Sequence, residues 1–578
     1  MKRKTFYVLF FFALLPSLLL AGSGRIKGKV TDLSTGEALI GANVFVDGTS
    51  YGAATDADGE FTIINLDAGV YSVKASYLGF KTVTVTNIRV NTDLTTQMNF
   101  QLPSEDISVG DVIVTAEKPL IQKDATSSIR NVSGEDIQNL PVRGITNIVA
   151  LQAGVVNHNG TIHIRGSRGT EVGYSLEGIS ISNPVSGGRM VTLSNDAVEE
   201  LQVESGGFTA EYGGSNAGII RTQLKSGTSD YHISLEHITD NVTFQSKDDF
   251  LTQEERLGAY WYGNNETSFS LSGPVVGNTI KVFYNLNYKY DQSGDKKGYP
   301  GFDFGFIGDG LASNPVNNDS LNLYHPAGVL RNDKRQAFTH SGTITMDFNP
   351  VTVRLGGTFT TGESDANASK DVFQIANSRH SIVDFNNGAF SAKITHVLGD
   401  NLYYELGGGF SFTNQEITDP FLGSNFWDYG DSVANDAAGV VWDRSEKEKL
   451  AWSQLDPEDT RYLQPQSYNI FGFFFDKEGG TTNNYSKNDR QTLTGRFDLT
   501  YLPNKNHNIK FGGEFRQHTI RNWSTRRVHS GYAGQLALAM EKDDSGTLEE
   551  EQAKILYATG VNNYGYDIYG EETDDDGF

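Results

Sequence analysis

Two neighbouring stretches decide the fold of this chain: GTIHIRGSRGTEVGYSLEGISISNP (residues 160–184) and LSNDAVEELQVESGGFTAEYGGSNAGIIRTQLKSG (residues 193–227). In the first, Ile162 and Ile164 alternate with polar residues, which predicts a strand with one buried face. A second alternating strand is predicted to run into a tight turn at Glu177–Gly178. In the second stretch we expect a short helix and two further strands, so the two stretches together predict a small α+β unit.

The helix of the second stretch is predicted to begin at Ser194 or Asn195, either of which can cap it, and to continue through Leu201. A strand is expected at 201–204, and another near 218–225 after a glycine-dense loop.

Four motifs in these stretches resemble, in family order, the plug domain of TonB-dependent outer-membrane receptors. They involve Arg165, Gly166, Glu177, Gly178, Glu204, Tyr212, Gly213 and Gly218. Two residues depart from the family pattern: Glu177 stands where the family usually has Asp, and Arg221 where it usually has Asn. The resemblance implies a mostly β protein. Its expected parts are an Ig-like or prealbumin-like sandwich, an α+β plug and a transmembrane antiparallel β-barrel that is incomplete in this chain.

The domain boundaries predicted from the sequence follow in chain order. They are 1–21 signal peptide, 22–103 sandwich, 104–118 linker, 119–228 plug and 229–578 N-terminal part of the barrel. The first segment has a basic start and an apolar run shorter than a membrane span, as in a secretory signal peptide.

The composition limits the class of protein to which the chain can belong. The chain has no cysteine, hence no disulfide framework or lipidated N-terminus, and a net charge of −24, which disfavours nucleic acid as a partner.

Residues 25–102 contain short alternating runs separated by turn residues, which is typical of a small sandwich. They resemble the carboxypeptidase-regulatory-like (carbohydrate-binding-like) domain, a non-catalytic accessory module. Asp56, Asp58 and Glu60 lack the ligand series of an EF-hand, so a tight turn is predicted there in preference to a calcium loop.

The linker contains DVIVTAEKP (residues 111–119). Asp111, Val112, Ile113, Val114 and Thr115 resemble the TonB box, an extended segment that adds to a sheet edge of the partner TonB. The alternative interpretation is one more short structural strand.

After residue 228 the sequence alternates apolar and polar residues over about nine strands. A soluble sandwich also alternates, so connection lengths decide. Short turns alternate with long segments, which is typical of a membrane barrel with periplasmic turns and external loops. The resemblance to transporters of about 22 strands implies that this chain is part of a longer receptor, although Phe578 resembles the terminal Phe of outer-membrane barrels.

The sequence predicts no catalytic residue, cofactor or metal site. The HISLEH segment (residues 232–237) matches no zinc motif, and neither a GxSxG nor a phosphate-binding loop is present. Arg168 and Arg189 lie in predicted plug loops. They are candidates for contacting the ligand, and the alternative for each is an exposed loop arginine.

The resemblance implies an outer-membrane importer, with the sandwich and plug on the periplasmic side. The implied partners are TonB with its inner-membrane complex, outer-membrane lipids and an external ligand that the sequence does not identify. Two alternatives are an adhesin on the same scaffold and a glycan importer that works with a surface lipoprotein.

Overall fold

The computed structural model describes residues 24–104, 112–115, 128–207, 213–240, 245–247, 255–256, 259–260, 263–292, 298–299, 302–308, 320–325, 328–329, 333–366, 379–399, 401–440, 461–462, 468–470, 473–475, 479–480, 484–504, 507–526, 535–536 and 547–573. The predicted signal peptide, Asp111, Tyr212 and Phe578 lie outside these residues. No helix within them is long and apolar enough to cross a membrane.

The N-terminal module is a two-sheet β-sandwich. Its strands are β1 (Gly24–Asp32), β2 (Asn43–Val46), β3 (Gly52–Ala54), β4 (Glu60–Leu66), β5 (Gly69–Ser76), β6 (Val83–Val90), β7 (Thr95–Gln97), β8 (Phe100–Leu102) and β9 (Val112–Thr115). One sheet has the order β4-β1-β7, with β8 also paired to β1, and the other has the order β3-β2-β5-β6-β9. Alternate residues such as Ile26, Val44 and Phe61 form the core between the sheets, as the period-two pattern predicts.

The predicted turn after β3 is present at Asp56. The Oδ1 atom of Asp56 accepts hydrogen bonds from the backbone N–H groups of Asp58 and Glu60, both at 2.9 Å. An aspartate that bonds the backbone a few residues ahead stabilises a turn between strands. The carboxylate therefore has a structural role in this turn.

The plug is a mixed α+β unit. Its elements are β10 (Ile129–Ser133), α1 (Gly134–Asn139), α2 (Ile145–Ala150), β11 (Val155–His158), β12 (Thr161–Ile164), β13 (Val172–Leu176), β14 (Ile179–Ser180), β15 (Val198–Glu204) and β16 (Gly218–Leu224). Five strands form a sheet of order β10-β15-β16-β13-β14, and β11 pairs with β12. Helix α1 begins with a capping box: the Ser133 hydroxyl accepts a bond from the Asp136 N–H at 3.1 Å, and the Asp136 carboxylate accepts one from the Ser133 N–H at 3.2 Å.

The prediction of a helix that begins at Ser194 or Asn195 is wrong. Only one 3-10 turn, Asn195–Ala197, forms, and the Ser194 side chain makes no capping bond to it. Strand β15 begins at Val198, and six of its seven residues are buried. Val198, Leu201 and Val203 lie in the plug core, whereas Glu200 and Gln202 bond Thr92 of the sandwich. Tertiary burial on both faces thus overrides the weak local helical pattern.

The remaining elements belong to the predicted barrel and its connections. They are β17 (His232–Thr239), β18 (Gln245–Lys247), β19 (Glu255–Arg256), β20 (Ala259–Tyr260), β21 (Asn264–Val276), β22 (Ile280–Asp291), β23 (Gly298–Tyr299), β24 (Phe302–Gly308), β25 (Ser320–His325), β26 (Gly328–Val329), β27 (Arg335–Asp347), β28 (Val351–Asp365), β29 (Ile382–Gly399), β30 (Leu402–Thr418), α3 (Ser432–Ala437), β31 (Tyr468–Ile470), β32 (Phe473–Phe475), β33 (Asn484–Asn504), β34 (His507–Arg526) and α4 (Leu548–Thr559). Nine of these strands form one sheet of order β17-β21-β22-β27-β28-β29-β30-β33-β34, and its neighbouring strands are antiparallel. The predicted alternation of short and long connections is confirmed.

The nine-stranded sheet buries polar side chains and exposes apolar ones. Its buried residues include Asn285, Thr339, Ser341, Thr343, Arg354, Thr358, Thr360, Lys393, Thr395, Glu405, Ser411, Thr492, Thr494 and Thr500. Its exposed residues include Phe338, Ile344, Phe390, Leu493, Phe497, Ile509, Phe511 and Phe515. A soluble domain has the reverse arrangement, whereas an outer-membrane sheet has an apolar outward band and a polar interior.

The plug lies against this polar face. The Asn387 side chain accepts a bond from the Thr192 N–H at 2.8 Å, and the Ser411 hydroxyl donates to the Ser180 carbonyl at 3.1 Å. The sandwich contacts the end of the sheet where the short turns lie. The Tyr51 hydroxyl bonds that of Thr352 at 2.8 Å, and Lys281 donates to the Gly48 carbonyl at 2.9 Å.

At the other end of the sheet, Tyr485 of β33 and Trp523 of β34 meet residues of the segments that follow β30 and β34 in a hydrophobic cluster. Its members are Phe426, Tyr429, Tyr485, Trp523, Ile555, Leu556 and Tyr566. The indole N–H of Trp523 donates to the Ile568 carbonyl at 3.2 Å, so the segment after β34 packs against the ends of β33 and β34. A buried Arg379–Asp419 pair at 2.6 Å fixes the loop that follows β30.

Candidate functional site

The segment that resembles a TonB box forms strand β9. It pairs in parallel with β6, with Val112 opposite Val83 and Thr115 opposite Thr86. The Ile113 side chain is 71% exposed and that of Val114 is 46% exposed. These two side chains point to opposite faces of the sheet, and the sandwich core covers neither of them. In this structure the segment is paired as one more strand of the sandwich, as the alternative interpretation expects.

The first plug motif forms a left-handed turn after β12. Arg165 has φ +52° and Gly166 has φ +77°. The Ser167 N–H donates to the Ile164 carbonyl at 3.1 Å, which closes the turn. A non-glycine residue in this conformation carries a steric cost, so Gly166 is the residue type that the second position requires.

Gly218 is required for a different reason. A Cβ atom at this position would lie 2.6 Å from the Glu204 carbonyl oxygen and 2.7 Å from Cδ1 of Ile164. Strands β15 and β16 approach the β11–β12 hairpin closely at this point, and only glycine permits that approach. In contrast, a Cβ at Gly213 would have no described atom within 4 Å.

Glu177 joins the plug to the barrel sheet. It occupies the turn between β13 and β14 with φ +51°, and Gly178 follows with φ +83°. The buried Glu177 carboxylate accepts two bonds from the Arg354 guanidinium, from Nε at 2.7 Å and from Nη2 at 3.1 Å. It also accepts a bond from the Leu224 N–H at 2.7 Å. This bidentate geometry is the strong form of a carboxylate–arginine pair.

Asp67 of the sandwich completes the same group of charges. Its carboxylate lies 3.1 Å from Nη1 of Arg354 and 3.2 Å from Nζ of Lys393. Burial alone would raise the pKa of Asp67, but Lys393 and Arg354 hold it at about 2. We call Asp67, Glu177, Arg354 and Lys393 the central charge cluster; it connects sandwich, plug and barrel.

A second cluster lies between the same three parts. Arg221 of β16 bonds Glu204 at 2.8 Å and Asp93 of the sandwich at 2.6 Å. Lys510 of β34 reaches Asp93 at 2.8 Å. Against the effect of burial, Lys510 and Arg221 hold the pKa of Asp93 well below its usual range. We call Asp93, Glu204, Arg221 and Lys510 the Asp93 cluster.

Neither candidate ligand arginine takes part in the ion pairs that define these two clusters. Arg168 is exposed and precedes the 3-10 turn Gly169–Glu171, where its backbone N–H donates to the Glu171 carboxylate at 3.0 Å. Arg189 is half-buried and lines a small cavity inside the plug together with Tyr174 and Ile145. Burial lowers the pKa of Arg189 while the Tyr174 ring opposes this shift. Arg168 does not line this cavity.

The HISLEH segment (residues 232–237), which matches no zinc motif, lies in strand β17. His237 bonds the Thr267 hydroxyl at 2.9 Å, and Glu236 pairs with Arg143 at 2.7 Å. Among the described residues, no group of three or more His, Asp or Glu side chains is arranged to hold a metal ion. The chemistry that the arrangement offers is ionic clamping between three parts of the chain.

Sequence reasoning missed Asp67, Asp93, Arg354, Lys393 and Lys510. Arg354 and Lys393 are charged residues on the buried face of alternating strands, and that position is the only signal the sequence carried. Their partners lie between 177 and 326 residues away along the chain. No local pattern encodes such a pairing.

Comparison with known families supports the two N-terminal assignments. Residues 26–114 match the CarboxypepD_reg-like domain, and residues 121–220 match the TonB-dependent Receptor Plug Domain. The predicted accessory domain and the predicted plug are therefore confirmed.

Curated relatives include two TonB-dependent proteins. The TonB-dependent transporter Oar of Myxococcus xanthus is 28% identical over 286 residues, which are 46% of this chain and 26% of that protein. The TonB-dependent receptor SusC of Bacteroides thetaiotaomicron is 28% identical over 255 residues, which are 40% of this chain and 24% of that protein. The chain thus spans about a quarter of the length of these relatives. The crystal structure of the outer membrane transporter YddB from Escherichia coli has a TM-score of 0.41 and 12% identity, covering 69% of this chain and 49% of that structure.

Proposed function

We propose that this chain, which carries a TonB-dependent receptor plug domain on the polar face of a nine-stranded sheet, belongs to an outer-membrane importer. It binds an external ligand and passes it to the periplasm with energy transmitted by TonB. The observation that carries the proposal is the inverted sheet, whose polar face is covered by the plug and whose apolar face is left exposed. Such a sheet requires lipid on one side and a filled lumen on the other.

The proposed orientation follows from the two ends of the sheet. The sandwich and β9 lie at the end with short turns, which is the periplasmic end in outer-membrane barrels. The long connections lie at the opposite end, where they would contact an external ligand. The role is transport and includes no catalysed chemical step.

The proposed TonB contact is strand β9. Its β-branched residues Val112, Ile113, Val114 and Thr115 suit an extended strand that pairs with a strand of another protein. Arg168 and Arg189 remain proposed ligand contacts, supported by their position in plug loops. A surface lipoprotein is a proposed partner only under the glycan-importer alternative.

The test replaces residues 111–115 by Gly-Ser-Gly-Ser-Gly, which keeps the tether length and removes the strand. The full receptor should still reach the outer membrane but should no longer bind the purified C-terminal domain of TonB. Growth on the nutrient that induces its transcript should be lost as well. Unchanged growth would exclude the importer and favour the adhesin, for which TonB contact is irrelevant.

A further inference from the structure

Among the strands that the structure describes, β9 is the outermost of its sheet. The order β3-β2-β5-β6-β9 places β6 on one side of β9, and the hydrogen-bonding groups of its other side point away from the sandwich. A strand uses alternate N–H and C=O groups on its two sides, so pairing with β6 engages only one set. The second set forms an edge to which another strand can be added.

Each face of β9 carries an exposed side chain. Ile113 and Val114 are consecutive residues and therefore point to opposite faces of the sheet, yet both are exposed. In contrast, β6 buries Val83, Val85 and Ile88 in the sandwich core. The sandwich core thus fixes β6, and β6 in turn holds β9 extended through the ladder between them.

The far end of β6 is bonded to the plug. Arg89 contacts the Glu199 carboxylate at 2.6 Å and the Glu199 carbonyl at 2.7 Å. Just beyond β6, the backbone and hydroxyl of Thr92 both donate to the Glu200 carboxylate at 3.0 Å. Strand β6 therefore connects β9 with plug strand β15.

We propose that the partner strand adds to the outward edge of β9 while β9 stays paired with β6, so that the sandwich presents the contact strand and the sheet gains a sixth strand. This inference rests on the proposed function, which supplies the partner. Because β9 is already extended in the free chain, binding does not have to order it, and pre-organisation of this kind favours association.

The contacts of β9 and β6 define the path along which force applied by the partner is transmitted. Force applied to β9 passes across the β6–β9 ladder to β6 and then through Arg89 and Thr92 to the plug. It also reaches Asp67 and Asp93, through which the sandwich is bound to the barrel sheet. The ion pairs of the two charge clusters are thus among the contacts that bear the applied force.

A reversible covalent lock tests the proposal. The chain has no cysteine, so two introduced cysteines have no other thiol in the chain with which to form a disulfide. Thr84 and Ile113 are direct partners across the β6–β9 ladder, and adjacent strands have the spacing that a disulfide needs. The full receptor carrying Thr84→Cys and Ile113→Cys is purified in detergent, and its affinity for the C-terminal domain of TonB is measured in the oxidised and reduced states. The matched control carries Phe45→Cys and Lys74→Cys, which are partners across β2 and β5.

We expect the oxidised and reduced forms to bind TonB with dissociation constants within about twofold of each other. A loss of about tenfold or more on oxidation would show that β9 must leave β6, and would overturn the inference while the proposed function stands. The same loss in the control pair would overturn it too, since the sandwich would then have to open. If the wild-type chain binds no TonB at all, the proposed function fails.

Hydrogen exchange of the unmodified receptor gives an independent readout. Added TonB domain should protect further amides in Val112–Thr115 and leave the protection of Val83–Thr86 unchanged. Faster exchange in β6 on binding would mean that the partner replaces β6, which contradicts the proposal.

Discussion

The guanidinium of Arg354 in the barrel sheet forms a bidentate pair with the carboxylate of Glu177 in the plug, and each side chain is 2% exposed. The two residues are separated by 177 positions in the chain. Glu177 is also one of the two residues that depart from the family pattern of the plug, and the other, Arg221, forms the Asp93 cluster. Both residues thus take part in ion pairs that join the plug to its neighbours.

The first prediction concerns this pair. Arg354→Gln should lower the free energy of unfolding in detergent by about 3–5 kcal/mol, because it leaves a buried carboxylate without its counter-charge. The double variant Glu177→Gln with Arg354→Gln should recover part of this loss. The control is Glu236→Gln, which breaks a largely exposed pair with Arg143 and should cost about 0–1 kcal/mol. Equal losses for the two single variants would contradict a central role for the buried pair.

The second prediction concerns the pH dependence at Asp67. Its pKa in the folded chain is about 2, below the ordinary value of 3.8, so its contribution to stability is present above about pH 4 and is lost as the pH falls through 2. Asp67→Asn should therefore cost about 2 kcal/mol at pH 7 and almost nothing at pH 2. Denaturant unfolding across this range measures the difference.

Asp47→Asn is the matched control for Asp67, because Asp47 pairs with Lys74 at an exposed site of the same sandwich. Its effect should be small at neutral pH. A cost at Asp67 that persists unchanged at pH 2 would show that the residue acts through packing and not through charge.

The third prediction concerns glycine geometry in the plug. Gly218→Ala should destabilise the plug by about 1–3 kcal/mol, since its Cβ would overlap the Glu204 carbonyl and Ile164. Gly213→Ala adds the same methyl group where no described atom lies within 4 Å, and should be close to neutral. Protease resistance of the plug and its thermal midpoint distinguish the two variants.

The fourth prediction tests which face of the sheet meets lipid. Leu493→Arg, near the middle of β33, should reduce the stability of the receptor in lipid bilayers by about 2–4 kcal/mol. Leu78→Arg makes the same change at a leucine that is 94% exposed in the sandwich and should have little effect. Equal tolerance of both changes, measured as folding yield into vesicles, would mean that Leu493 faces water.

Several features were predictable from the sequence because each depends on residues that are close together in the chain. The short strands of the sandwich, the capping box at Ser133 and the turns at Gly166 and Gly178 each arise from residues a few positions apart. The strands of the barrel sheet and their short turns follow from the same kind of pattern. The failed helix after Ser194 marks the limit, because burial on both sides of β15 decided that segment.

The sequence by itself determined the strands, the turns that join them and the resemblance to a receptor plug, all of which follow from period-two alternation and from glycines at fixed spacing. Alternation does not tell which of the two faces of a strand is buried, however, and only the tertiary structure showed that the polar face of the barrel sheet is the buried one. The same is true of the two charge clusters and of the pairing of β9 with β6. Those contacts join segments that are distant in the chain, and their energy depends on burial and distance, which no local pattern specifies.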